Sequence, residues 1–136
     1  MTKAWGMSLL VGLGGFAGSL ARYGLSIAGQ RFSIGWPLGT LAANVLGCLA
    51  IGIITGLSAR GETLPPALRL ALATGFCGGF TTLSSMIYET AEMLRGSEYF
   101  HASWYAAGTF LLSMGAFVVG VLAVRILVKI GGGSWS

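Results

Sequence analysis

GFCGGFTTLSSM, residues 75–86, lies inside a run from residue 70 to residue 88 that contains no Asp, Glu, Lys or Arg. A run of that length suits a helix crossing about 30 Å of hydrocarbon. Yet three glycines, two threonines and two serines fall within its twelve positions. Glycine pairs permit backbone angles that end a helix. A break at membrane depth is tolerated only where it is buried in protein or lines a cavity. Two readings follow. In one, GGFTT interrupts the helix over residues 78–82, its freed carbonyl oxygens suit a hard cation, and LSSM opens a half-helix whose N-terminus suits an anion. In the other, Gly78 and Gly79 ease packing, and Thr81, Thr82, Ser84 and Ser85 bond back to the preceding turn.

The rest of the chain has the same apolar character. Its 136 residues are 54% hydrophobic and only 9% charged, with a mean hydropathy of +0.80. A soluble domain carries about 25% charged residues, so this composition predicts an integral membrane protein of one domain. Four runs lack charge: 4–21, 32–59, 70–88 and 102–124. Strict alternation of apolar and polar residues is missing, which argues against an outer-membrane barrel. The expected fold is all-α, one domain over residues 1–136, with spans at about 5–28, 38–58, 67–94 and 100–129. On the first of the two readings of GGFTT, the third span is broken in mid-membrane. The first run continues past Arg22 to Ala28, as a full span does and a signal peptide does not. The tail GGGSWS is expected to be mobile.

Charge excludes some functions. The net charge is +4, but the eight basic residues stand singly, without the cluster a nucleic-acid surface needs. They read as helix-end anchors. Lys3, Arg60, Arg69, Arg125 and Lys129 flank the side bearing the termini, and Arg22, Arg31 and Arg95 the other. That weak bias fits either an ordinary protein with its termini inside or copies inserted both ways up. Cys48 and Cys77 both fall in spans and form no disulfide or metal framework. His101 stands alone and reads as interfacial.

Polar residues inside a span carry the functional information. Asn44, in GTLAANVLG, has an amide that must face another helix or a watery cavity. It either bonds across helices or donates to an anion in a pathway. Tyr105, Thr109 and Ser113 recur at i, i+4 and i+8, setting three hydroxyls on one helix face. They form either a polar rail or a helix contact. Glu89, four residues after Ser85, lies near that rail. With Thr40 it is a candidate for the pathway or for structure. No histidine, metal set or nucleophile accompanies it, so an enzyme is not expected. Four short spans leave little room for a pathway within one bundle, which makes a homodimer the default.

GGFAGSLARY with Arg22, GTLAANVLG with Asn44, TGFCGGFTT, the pair Glu89–Thr90, and Tyr105/Thr109/Ser113 together resemble the Fluc (CrcB) family of small bacterial fluoride channels. The resemblance covers nearly the whole chain. It implies an antiparallel, dual-topology homodimer in the bacterial cytoplasmic membrane, with two narrow anion pores at the dimer interface. It implies one central structural Na⁺ held by backbone carbonyls, which here belong to Gly78 and Thr81. Asn44 would lie on the fluoride path, and Ser84, Ser85, Thr109 and Ser113 would supply hydroxyls along it. Arg22 would lie toward a vestibule and draw anions in. The implied activity is passive export of cytoplasmic fluoride without ATP, and no phosphate-binding Gly-Lys motif is present. In one respect the chain departs from the family. Leu83 and Met86 stand where the family carries phenylalanines, whose ring edges bear partial positive charge and can face an anion. The departure leaves open a non-conducting or selectivity-altered subunit that pairs with a homologue. A proton-coupled exporter of organic cations needs a carboxylate deep in the first span, and residues 4–21 contain none.

Overall fold

A computed structural model describes residues 2–31, 35–59 and 64–131. The side chain of Lys3, the segment carrying Arg60, and the tail beyond Gly131 lie outside the described residues. The elements run α1 (Thr2–Gln30), α2 (Leu38–Ser58), α3 (Pro66–Arg69), a π-helix π1 (Leu70–Cys77), α4 (Gly78–Phe80), α5 (Leu83–Arg95) and α6 (Tyr99–Ile130). No strand occurs among the described residues.

Among the described residues, three segments are long and apolar enough to cross a membrane: Leu38–Ser58, Pro66–Arg95 and Tyr99–Ile130. The chain is therefore a multi-pass membrane protein. α1 is of similar length at 29 residues, but glycine and serine dilute its apolar character. Local signals set the boundaries. Pro65 and Pro66 open α3, where a missing N–H costs nothing. Between α5 and α6 the chain reverses within three residues. There Gly96, Ser97 and Glu98 donate backbone bonds to Glu92, Leu94 and Met93 at 3.0, 3.1 and 2.9 Å, and Ser97 adopts a φ of 62°.

Glycine-mediated approach builds the bundle, as expected where lipid tails remove the hydrophobic drive between helices. α1 lies against π1 and α4, and α2 against α6. A methyl group on Gly18 would run into the Phe76 carbonyl oxygen, and one on Gly120 into the Leu49 carbonyl oxygen. The inside is unusually polar and the outside unusually apolar. Thr40, Asn44 and Thr109 are buried alongside Ala43, Cys77, Ala102, Tyr105 and Val124, while Leu9, Phe110 and Leu127 are more than half exposed. A lone chain in water could not sustain that distribution. It fits surfaces that meet lipid or another chain.

The third apolar segment is interrupted, though over fewer residues than expected. Helical geometry persists through Phe80, and only Thr81 (φ −80°, ψ 154°) and Thr82 (φ −152°, ψ 114°) are extended. Eight residues of π-helix precede the break, a feature the apolar pattern did not foretell. π-Turns in such length are rare and cluster near functional sites. The Thr81 N–H and hydroxyl both donate to the Cys77 carbonyl, each at 2.9 Å, and so close the end of this wide coil.

Candidate functional site

The break exposes backbone groups that the helix would otherwise pair, and side chains from α1 and α2 take several of them up. In an uninterrupted helix the Thr82 N–H would reach the Gly78 carbonyl, and the Leu83 N–H would reach the Gly79 carbonyl. Here the Thr82 N–H donates to Asn44 Oδ1 at 2.7 Å, and Asn44 Nδ2 donates to the Thr82 carbonyl at 3.0 Å. One buried amide thus satisfies both backbone groups of one extended residue. From α1, Arg22 Nε donates to the Gly79 carbonyl at 3.2 Å, with the Ser19 hydroxyl 3.5 Å from the same oxygen.

Thr82 also starts the next helix. Its hydroxyl accepts from the Ser85 N–H at 3.2 Å, donates to Ser85 Oγ at 3.1 Å, and lies 3.1 Å from Ser84 Oγ. This is an N-cap, the motif that satisfies an orphan donor of the first turn. Ser84 and Ser85 therefore belong to one small hydroxyl cluster with Thr82. Leu83, the first residue of α5, is 66% exposed and stands apart from that cluster. Met86 is half-buried.

A second polar node lies one to two turns further along α5. Glu89 Oε1 accepts from the Thr40 hydroxyl at 2.6 Å, and Oε2 accepts from the Tyr105 hydroxyl at 2.5 Å. The carboxylate thus joins α2, α5 and α6. Short bonds of this kind to a carboxylate are among the stronger ones proteins make. Thr40 and Glu89 also line a cavity of about 150 Å³ with Ser26 and Pro37, between the end of α1 and the start of α2.

Along the same face of α6 stand Thr109 and Ser113. The hydroxyl oxygens of both are buried, and among the described residues neither makes a hydrogen bond of good geometry, the Tyr105 hydroxyl being the polar group beside Thr109. Buried polar atoms are normally satisfied, so two orphans in succession call for an explanation. Ser113 borders a larger cavity, about 380 Å³, formed with Cys48, Ile51, Phe110 and Phe117 between α2 and α6. Tyr105, Thr109 and Ser113 thus follow one face of α6 from the Glu89 node to the cavity that Ser113 borders.

The residues expected to carry function thus divide into three groups. Asn44, Ser84 and Ser85 gather at Thr82. Thr40, Glu89 and Tyr105 form the carboxylate node, with Thr109 and Ser113 continuing from it. Arg22 engages the break from α1, while the Gly78 backbone is exposed. Two participants, Thr82 and Ser19, are not among the candidate site residues read from the sequence, where Thr82 is considered only for a bond back to the preceding turn. Thr82 carried a usable signal, since a threonine three residues before a serine at a helix start is an N-cap pattern. Ser19 carried only a weak one, its i, i+3 spacing to Arg22.

The chain matches the family described as "CrcB-like protein, Camphor Resistance (CrcB)" over residues 9–121. A protein of Prosthecochloris aestuarii named "Fluoride-specific ion channel FluC" is 46% identical over 126 residues, covering 93% of this chain and 98% of the relative. Relatives of the same name from Chlorobaculum tepidum and Sorangium cellulosum are each 44% identical, and each comparison covers 87% of this chain and 94% of the relative.

Proposed function

The chain belongs to the CrcB-like family, and from that premise we propose that it is a passive, fluoride-selective anion channel of the bacterial cytoplasmic membrane. The relatives' name, fluoride-specific ion channel, supports the substrate. The observation that carries the reading is the pair of buried, unpartnered hydroxyls of Thr109 and Ser113. They follow Tyr105, a partner of Glu89, along α6, and Ser113 borders a cavity of its own. An orphaned hydroxyl can donate to a passing anion without first surrendering a protein bond. Fluoride would lose its water stepwise and meet hydroxyl donors in replacement. Asn44 and Ser84 border the break from which such a path would be entered.

In this reading α1 is a fourth span, and two chains associate antiparallel, with a pore along each side of their interface. The exposed Gly78 backbone and the 66% exposed Leu83 support a contact at the break. The donor set there also fits a structural Na⁺. The Thr82 N–H that would pair with the Gly78 carbonyl is taken by Asn44. The Gly78 and Thr81 carbonyls of each copy would hold the ion, since hard cations prefer oxygen ligands. The bound cation would supply positive potential to both pores. The hydroxyls, the break and its clamps are the chain's own contribution.

A liposome efflux assay read with a fluoride electrode tests the proposal. Vesicles containing only this chain are expected to release fluoride and retain chloride. Equal release of both anions would sink the selectivity, and no release would sink the homodimeric channel. A second reading has its own observation. Leu83 and Met86 lack the aromatic edges that the family carries at these positions, and Leu83 opens the exposed face of α5. Flux that appears only when a homologue bearing both phenylalanines is added would favour a paired, heterodimeric subunit.

A further inference from the structure

We propose that Arg22 is a positioning residue of the helix break, acting through its Nε–H on the Gly79 carbonyl rather than through its charge. The sequence places Arg22 on α1 one turn after Gly18. Gly18 lies so close to the third segment that an added methyl would strike the Phe76 carbonyl oxygen, and a methyl on Gly79 would strike the Gly15 carbonyl oxygen. That approach delivers the next turn of α1 to the end of α4. There the half-buried Arg22 donates its Nε–H to the Gly79 carbonyl at 3.2 Å, with Ser19 Oγ 3.5 Å from the same oxygen.

The chemistry of the break explains why a donor is needed. Gly79 is one residue from the end of its helical stretch, so its carbonyl loses the Leu83 N–H that an unbroken helix would provide. An unsatisfied carbonyl in a membrane interior costs several kcal/mol. Arg22 and Ser19 supply the missing donors from α1, as Asn44 does for Thr82 from α2. The two clamps act on different oxygens and sort them. The Gly79 and Thr82 carbonyls are occupied by side chains, and the Gly78 carbonyl, whose helical donor Asn44 has taken, stays available. Arg22 thereby fixes which oxygens of the break can face an ion.

Position and charge can be separated by substitution, because the side-chain amide nitrogen of glutamine is the same number of bonds from Cα as Arg Nε. A lysine ammonium keeps the charge but lies one bond further out. Fluoride efflux from liposomes is therefore expected to remain within about threefold of the parent for Arg22→Gln and to fall about tenfold for Arg22→Lys and Arg22→Ala. Arg22→Lys outperforming Arg22→Gln, or the two failing equally, would overturn the proposal. The flux readout rests on the channel reading, so thermal unfolding in detergent is measured on the same variants. Arg22→Gln should melt with the parent, and Arg22→Lys about 4 °C or more below it. Coincident melting of the glutamine and lysine variants would also overturn the clamp. A parent chain that passes no fluoride, combined with the expected melting order, would remove the channel reading and leave the clamp standing.

Discussion

Asn44 and Thr82 are joined by two hydrogen bonds, side-chain amide to main chain, at 2.7 and 3.0 Å. The pairing resembles what a neighbouring strand would give an extended residue, delivered instead by one side chain from α2. Extended backbone cannot satisfy itself as a helix does, so the break depends on this amide. Asn44→Ala leaves a donor and an acceptor of Thr82 without partners. The expected loss is about 1 to 3 kcal/mol, seen as a lower thermal midpoint in detergent, together with slower fluoride efflux. Asn44→Asp keeps the acceptor for the Thr82 N–H but sets a carboxylate against the Thr82 carbonyl. It is expected to be no better than alanine.

The Glu89 node makes an energetic prediction that a double-mutant cycle can test. Tyr105 and Thr40 each donate to a different oxygen of the carboxylate. Tyr105→Phe removes one charge-assisted bond, and Glu89→Gln turns one acceptor into a donor facing a hydroxyl. The coupling between positions 89 and 105, read from unfolding of both single variants and the double variant, is expected to be about 1 to 3 kcal/mol. Additive effects would mean that the two groups do not act as a unit.

Gly18 and Gly12 sit on the same helix in opposite circumstances. A methyl on Gly18 meets the Phe76 backbone, which cannot move aside cheaply, whereas a methyl on Gly12 meets nothing within 4 Å. Alanine is favoured over glycine in a helix by up to about 1 kcal/mol. Gly12→Ala should therefore leave the thermal midpoint unchanged or raise it. Gly18→Ala should lower it, because α1 must withdraw from π1 and carry Arg22 away from Gly79.

Leu83 and Met86 test the role of aromatic edges. Leucine offers no partial positive edge to an anion, and methionine is polarizable but not equivalent. The double substitution Leu83→Phe and Met86→Phe is expected to increase fluoride efflux from liposomes. Leu83 is 66% exposed, so a larger side chain there meets little resistance within the chain. Unchanged efflux would remove the aromatic edges from the account of conduction.

What the sequence made legible and what it hid follow from range. Runs without charge predict apolar helices because the hydrocarbon acts on every residue of a span. The glycine and threonine density of residues 78–82 predicts a break because backbone freedom is a local property. The π-helix over Leu70–Cys77 was invisible, since its apolar residues carry no period that separates it from an α-helix. The partners of Glu89 were equally hidden, although Thr40 and Tyr105 were both under suspicion. Nothing local says that positions 40 and 89, separated by 49 residues, meet at 2.6 Å. Arg22 is the sharpest case. A lone arginine among apolar residues reads as a free charge, and only the fold reveals a backbone carbonyl 57 residues away as its partner.

Thr109 and Ser113 give the prediction in which stability and transport separate. Their hydroxyl oxygens are buried without hydrogen bonds of good geometry among the described residues, so the fold gains little from them and bears part of their desolvation cost. Thr109→Val retains the shape and removes the hydroxyl, and Ser113→Ala does the same at the border of the larger cavity. Each is expected to leave the thermal midpoint unchanged or raise it, by up to about 1 kcal/mol of added stability. If these hydroxyls replace water around a passing fluoride, the double variant loses donors at two successive points and its efflux falls at least about tenfold. A residue that only packs helices would move both measurements in the same direction. Higher stability with lower flux is the signature of donors held unpaired for an ion, and undiminished flux in the double variant would move the pathway off this face of α6.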